Sequence, residues 1–427
     1  MQGQALPGFR DSYPEETALR NHIFATWRDV ARRYGFQEYD GPPLEPLELY
    51  TQKSGDEIVE QLYAFRDKGD REVALRPEMT PTLARMVGAR AQALKKPIRW
   101  FSIPQLFRYE RQQRGRLREH FQLNLDLIGE AGALADAELM AAVIDIMRAF
   151  GFGPGDVKLH ISDRRVLQAL LRGRGVTERQ LPAAYAAIDK SEREPRDAVA
   201  ERLAEGGFTV KAVEAVFAVA DLKGWYAMQR ALAEVEAEGV GEPLSEAIGA
   251  LEAMGIRDFV DVDVTIVRGL AYYTGIVFEL FDTGKALRAI CGGGRYDGLL
   301  KALGGVDLPA LGFGMGDVVL GELLKERRVP LKASASVDAF LVAVGGEDVP
   351  HVLKLAHELR DRGIAAEYGL RHAPIRKQLE LAAARGAPRA VIVGPDERSA
   401  GVVVVRDLQA GTEEKVPVAK LLNGFFR

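Results

Sequence analysis

Apolar residues along the chain change their period several times, and each change marks an element. Leu19, Ile23, Trp27, Val30, Ala31 and Tyr34 recur at steps of three and four up to Gly35, the spacing of one helical face. Ser12, with Pro14, Glu15 and Glu16 behind it, reads as that helix's start, with a capping side chain and a capping box. Residues 80–94 predict a second helix. From 97 to 129 the period drops to two. "PIRWFSI", "QLFRYER" and "REHFQLNLDLIG" predict consecutive antiparallel strands, with an arginine-rich turn before the third. "DAELMAAVIDIMRAFGF" predicts a helix and "VKLHIS" a strand. The stretch at about 165–255 is rich in Ala, Leu, Glu and Arg, with helical period and no strand pattern, and predicts a helical insertion. Strand patterns return at "DVDVTIVR", "YYTGIVFELF", "LRAICGG" and "ALGFGMG". "KERRVPLKASASVD" reads as a linker. The expected division is a first domain at 1–325, a linker at 326–336 and a second domain at 337–427. In the last part strand and helix patterns alternate, which predicts a small α/β domain with a largely parallel sheet.

At 427 residues the chain is too long for one ordinary domain. Its 47% hydrophobic and 28% charged residues are those of a soluble globular protein. The amino terminus lacks the basic segment and apolar core of a signal peptide, and no apolar run approaches the roughly 20 residues that span a bilayer. A single cysteine, Cys291, rules out an internal disulfide framework and fits a reducing, cytoplasmic setting. The net charge of −4, from 57 basic and 61 acidic residues, argues against a wholesale polyanion binder but leaves room for local patches. Arg108, Arg111, Arg114, Arg116 and Arg118 form one such patch.

Strand alternation sorts the candidate chemistry. In "HFQLNLDLIG", Phe121, Leu123, Leu125 and Leu127 share one face, and Gln122, Asn124 and Asp126 the other. A solvated sheet surface accounts for that polar face. A ligand space is the competing reading, because "LFRYER" puts Arg108 and Glu110 together on a neighbouring face. Arginine, carboxylates and amides aimed at one space suit a ligand with anionic and hydrogen-bonding groups. "LRPEMT" sets Glu78 and Thr80 before a helix, where capping is the plainer explanation. "CGGGRYDGL" is either a phosphate-cradling loop or a close approach of backbones. "LGFGMGD" lacks the spacing of a dinucleotide fingerprint, and no G-x-x-x-x-G-K-[ST] loop occurs. The six histidines form no zinc-ligand pattern with each other or with Cys291, so no protein-held metal is expected, and no Ser–His–Asp elbow is present. Arg371, Arg376, Lys377, Arg385 and Arg389 flank a helix near the end of the chain, either as solvated surface or as a nucleic-acid contact.

Together these segments resemble the class II aminoacyl-tRNA synthetases, and within them the histidyl-tRNA synthetase family. "YGFQEYDGPPLE" is similar to the first class signature, with Pro42 at the dimer interface, and "FRYERQQRGRLREHFQ" to the second. "LRPEMT", "VRGLAYYTGIVFE" and "GGGRYDGL" resemble segments particular to the histidine enzyme, and "IRKQLELAAARGAPRAVIVG" its anticodon-binding domain. The resemblance implies an α+β catalytic domain on a mixed, mainly antiparallel sheet, the helical insertion, and a C-terminal α/β anticodon-binding domain, assembled as a homodimer. It implies that histidine is activated with ATP and Mg2+, then transferred to its tRNA. Glu78, Thr80 and Gln122 would hold the histidine ammonium group, and Asp126 and Tyr273 the imidazole nitrogens, with Met79, Tyr272 and Tyr296 also around the amino acid. The family usually has Glu at the Asp126 position. Arg108 would meet the α-phosphate, Glu110 the adenine amine and Arg116 the terminal phosphates. Arg268 would sit between the histidine carboxylate and the α-phosphate, so Arg268 and Arg108 are the catalytic candidates. Arg111, Gln113, Arg114 and Arg118 would guide the tRNA acceptor end.

Two positions depart from the family pattern. Val319 stands where the third class signature has an ATP-clamping arginine, so either another basic side chain substitutes or ATP binding is weakened. Ala271 stands where Asp is commoner. Both occur together in a branch associated with cyanobacterial and plant organellar enzymes. Two other readings compete with the ligase. A synthetase-like regulatory subunit of ATP phosphoribosyltransferase would bind histidine without charging tRNA. A structural or generic RNA-binding protein would have no use for the matched polar set.

Overall fold

The computed structural model describes residues 3, 5–51, 59–110, 117–191, 194–267, 272–284, 287–330, 337–371 and 373–426. The chain divides into two compact units, Met1–Leu331 and Lys332–Arg427.

The first unit is built on a nine-stranded sheet. Its strands run in the order Gln37–Glu38, Ile98–Ser102, Glu119–Ile128, Ala310–Gly316, Cys291–Arg295, Ile276–Asp282, Val157–Asp163 and Val260–Val262, with Gln105–Phe107 pairing off the path onto Glu119–Ile128. The two outermost pairings are parallel and the others antiparallel. Alternation makes the two faces unlike. Leu123, Leu125 and Leu127 join a large core with Ile23, Trp27 and Val30 of the helix Pro14–Arg33 and with the helix Ala133–Ala149, which is buried along most of its length. The Trp27 indole N–H reaches the Met315 sulfur at 3.3 Å, pinning the first helix to a central strand. The opposite face carries Tyr273, Val277, Tyr296 and Ile128, packed with Leu83, Ala84 and Val87 of the helix Thr80–Arg90.

Helices fill the span between Arg164 and Ala253. Val166, Leu170, Leu181, Ile188, Val216 and Val219 form a separate core. The last helix, Glu242–Ala253, instead buries Leu244, Ala247 and Leu251 in the main core. A small antiparallel sheet orders Leu44–Pro46, Glu72–Leu75 and Tyr63–Arg66.

The second unit orders its five strands as Ala366–Tyr368, Ala339–Ala343, Arg389–Val393, Val402–Asp407 and Glu413–Pro417. Leu341 and Phe340 belong to different cores, so this sheet is covered on both faces. Two of its ladders are parallel and two antiparallel, where the sequence pattern suggested a largely parallel sheet. The last two strands make the difference: Val402–Asp407 runs antiparallel to Arg389–Val393, and the edge strand Glu413–Pro417, which buries only Val416, carries almost no hydrophobic signal.

Three local expectations need correction. The first helix has Tyr13 as its N-cap without a side-chain cap, because Pro14 takes the first helical position, where its missing N–H costs nothing. Ser12 instead accepts a bond from the Thr17 hydroxyl through its carbonyl, at 3.2 Å. Among its described residues, "QLFRYER" is strand only over Gln105–Phe107. In "DVDVTIVR" the strand Val260–Val262 ends after two residues, and the described residues 263–267 are not strand. There the Asp263 carboxylate accepts from the Thr265 N–H at 2.9 Å and its hydroxyl at 2.7 Å, a local turn that outcompetes the ladder. Among the described residues no helix is long and apolar enough to cross a membrane.

Candidate active site

On the sheet face away from the first helix, four glycines pave a floor. Gly292 pairs with Gly314 and Gly294 with Gly312, while Gly312 and Gly314 pair on their other side with Asp126 and Asn124. A Cβ at Gly312 would run into the Asp126 carboxylate. One at Gly314 would lie 2.8 Å from Cδ of Gln122, and one at Gly294 2.7 Å from the Ile276 carbonyl. The polar side chains of Glu119–Ile128 therefore lie across bare backbone.

Over this floor sits an inner pocket of about 80 Å3. Glu78, Thr80, Gln122, Asn124 and Asp126 line it with Tyr272, Tyr273 and Tyr296. Asn124 and Asp126 are buried, so their strand face is not a solvated surface. The Tyr296 hydroxyl donates to Oδ1 of Asp126. Burial pushes the Asp126 carboxyl up to about 7, against the pull of that hydrogen bond. Burial and the neighbouring Asp126 charge hold Tyr296 well above its usual value. The pair thus places an acceptor near its titration point beside a fixed donor. Tyr272 packs edge-on to Tyr296, with ring centroids 6.0 Å apart, and leans on Tyr273 at 4.9 Å.

Arg108, Gln122, Gly292 and Gly314 also line an outer pocket of about 310 Å3, together with Glu110, His120, Arg288, Val318 and Val319. Arg108 is the hinge between the two spaces. Its Nε donates to the Pro77 carbonyl at 2.9 Å, and its guanidinium lies 4.0 Å from Glu110. The segment leading to Glu78 is held by buried Arg76, which donates to the Gly41 carbonyl at 2.7 Å and the Gln105 carbonyl at 3.0 Å. His120 is pushed down to about 3 by burial, then by the charges of Arg108 and Arg10, so it stays neutral. Among the described residues no cluster of His, Cys, Asp and Glu could hold a metal ion. The inner space suits a small cationic and aromatic group, the outer one an anion.

The family model for histidyl-tRNA synthetase matches residues 8–316. The chain belongs to the histidyl-tRNA synthetase family. A model of the anticodon binding domain matches residues 338–425. The chain is 46% identical over 432 residues to a histidine–tRNA ligase of Opitutus terrae, covering 99% of this chain and 98% of that one. It is 40% identical to the chloroplastic/mitochondrial histidine–tRNA ligase of Arabidopsis thaliana, over 97% of this chain and 85% of that one. The fold superposes on the crystal structure of histidyl-tRNA synthetase from Nostoc sp. PCC 7120 with a TM-score of 0.85 and 25% identity, covering 99% of this chain and 98% of that one.

Against this family background, the structure brings most of the sequence candidates together. Glu78, Thr80, Gln122, Asp126, Tyr272, Tyr273 and Tyr296 share the inner pocket, and Glu110 joins Arg108 in the outer one. Arg108 and Glu110 converge through an irregular segment following the strand, not through strand alternation. Met79 is fully buried and does not line either space. Arg118 stacks 3.9 Å from the Tyr109 ring centroid and donates to the Glu110 carbonyl at 3.3 Å, bracing the outer wall from behind. Arg268, Ala271, Arg111, Gln113, Arg114 and Arg116 lie outside the described residues. Sequence reasoning missed the roles of Gly312 and Gly314 and the position of Arg288. The signal for the glycines was present in "LGFGMG", where every second residue of a strand has no side chain.

Proposed function

We propose that this chain is a histidine–tRNA ligase, which condenses L-histidine with ATP to histidyl-adenylate and pyrophosphate and then passes histidine to the 3′ end of its tRNA. One observation carries the reading: an acceptor-lined aromatic pocket opens at Arg108 into a cationic one, in a chain of this family. Glu78, Thr80 and Gln122 hold the amino group, offering acceptors to an ammonium. Asp126, supported by Tyr296, takes an imidazole N–H, and Tyr273 closes that side. A site built to satisfy such groups rejects analogues that leave them unpaired.

The carboxylate oxygen of histidine attacks the α-phosphorus in line, and the bond to the pyrophosphate oxygen breaks as the new one forms. The nucleophile is already ionised, so the chemistry needs alignment and charge stabilisation in place of a general base. Arg108 is anchored where the two pockets meet and supports the α-phosphate there, with Arg268 assigned beside it by the resemblance. Glu110 serves the adenine amine. Mg2+ enters with ATP as part of the substrate: Glu110 is the one carboxylate lining the described outer pocket, and such ions are commonly held by phosphates and water with few protein ligands. The resemblance assigns Arg116 to the terminal phosphates, and transfer to tRNA uses the acceptor-end contacts expected of Arg111, Gln113, Arg114 and Arg118. The unit Lys332–Arg427 reads the anticodon. The reading carries with it a homodimer and a cytoplasmic location.

Histidine-dependent exchange between ATP and labelled pyrophosphate tests the first step. Val319 is the one observation favouring a regulatory paralogue of the ATP phosphoribosyltransferase type. A folded protein that binds histidine but gives no exchange would overturn the ligase reading in favour of that alternative.

A further inference from the structure

The outer pocket has two cationic side chains among its described lining residues, Arg108 and Arg288. They stand at different depths. Arg108 is partly buried and also lines the inner pocket. Arg288 is exposed and lines the outer pocket but not the inner one. The backbone around Arg288 is fixed on both sides. Leu287 N–H donates to Oδ1 of Asp282 at 3.2 Å, and Ile290 N–H donates to the Leu280 carbonyl at 2.8 Å. The turn is thereby tied to the strand Ile276–Asp282 just before the glycine floor begins at Cys291–Arg295. The other described lining residues add no positive charge: Val318 and Val319 are apolar, and His120 is neutral.

A triphosphate that enters this space with its α-phosphate at Arg108 must run its β and γ groups outward, toward the mouth. A planar guanidinium offers the paired donors that phosphate oxygens take best. Resting on the ligase reading above, we infer that Arg288 is the phosphate clamp of the outer pocket. It binds the terminal phosphates of ATP and the departing pyrophosphate, in the space that Val319 leaves without a charge. This makes Arg288 a positioning residue for the leaving group, with no part in holding histidine or the adenosine.

The test compares wild type, Arg288→Ala, Arg288→Lys and the double variant Arg288→Ala with Val319→Arg. ATP affinity is read directly by calorimetry, and exchange kinetics are read in parallel. Arg288→Ala is expected to weaken ATP about 10- to 100-fold, the range of one charge-assisted hydrogen bond. The KM for pyrophosphate should rise by a similar factor. The KM for histidine and inhibition by AMP, which lacks the terminal phosphates, should stay within about twofold. Arg288→Lys should fall between, keeping the charge without the fork. Val319→Arg should restore much of the loss, because residue 319 faces the same space. The inference is overturned if ATP affinity is unchanged in Arg288→Ala, if AMP weakens as much as ATP, or if only the KM for tRNA rises. Absent exchange in wild type would sink the ligase reading separately, while the ATP titrations would still decide the role of Arg288.

Discussion

Replacing Tyr296 with Phe removes one hydroxyl and leaves the ring packing in place. That hydroxyl donates to a buried Asp126 carboxyl already pushed up to about 7. A donor favours the charged form, so its loss must push the carboxyl higher still. A hydrogen bond to a charged group contributes about 1.5–3 kcal/mol, which is about 1–2 pKa units. At pH 7.5 the ionised fraction would then fall from about three quarters to between about a quarter and about 3%. If the imidazole N–H binds the carboxylate form, the KM for histidine rises about 3- to 25-fold at that pH. Raising the pH to 9.5 should recover most of the loss. The assay is histidine-dependent pyrophosphate exchange from pH 6.5 to 9.5, with ATP saturating. A KM equal to wild type, or one raised by the same factor at every pH, would refute the reasoning and leave Tyr296 a purely steric role.

Four further outcomes follow from the same structure. The Asp126 carboxyl has a folded pKa raised above its ordinary value, so its contribution to stability is present at low pH and lost as the pH rises through about 7. Without histidine, thermal unfolding of wild type should therefore weaken between pH 5 and 8 more than that of Asp126→Asn. Gly312→Ala puts a methyl against the Asp126 carboxylate. Urea unfolding should show a cost of about 1–3 kcal/mol, and exchange a raised KM for histidine. Arg108→Ala should lower kcat for exchange about 10²–10³-fold while calorimetry still detects histidine binding. Arg295, paired with Asp136 at 2.5 Å and bonded to the Glu130 and Gly132 carbonyls, serves structure alone. Its replacement by Ala should cost about 3–5 kcal/mol in urea unfolding.

The sequence made some of this site legible because strand alternation is a local property. Gln122, Asn124 and Asp126 had to share a face wherever the strand went, and only the covering of that face was undetermined. Glu78 and Thr80 were visible too, since they stand at the start of a helix whose apolar spacing is plain. The glycine floor was not. Its meaning lies in the register that sets Gly312 beside Asp126 and Gly292 beside Gly314, a long-range fact that no single segment carries. Arg288 was passed over for a similar reason, as an exposed arginine that shares the outer pocket with residues distant in the chain, such as Arg108 and Val319. The strand predicted through Val264 to Val267 failed because apolar alternation cannot register an aspartate that bonds its own backbone two residues on. The edge strand Glu413–Pro417 escaped detection because a charged, mostly exposed strand has no pattern to read.

The central claim is that the two pockets serve one ligation ending on tRNA, and the attachment of labelled histidine to histidine tRNA tests it most directly. Purified wild-type protein, ATP, Mg2+ and the tRNA should yield acid-precipitable histidine, with little product when the tRNA is one for another amino acid. A folded protein that leaves histidine unattached, on tRNA that an established histidine–tRNA ligase can charge, would contradict it.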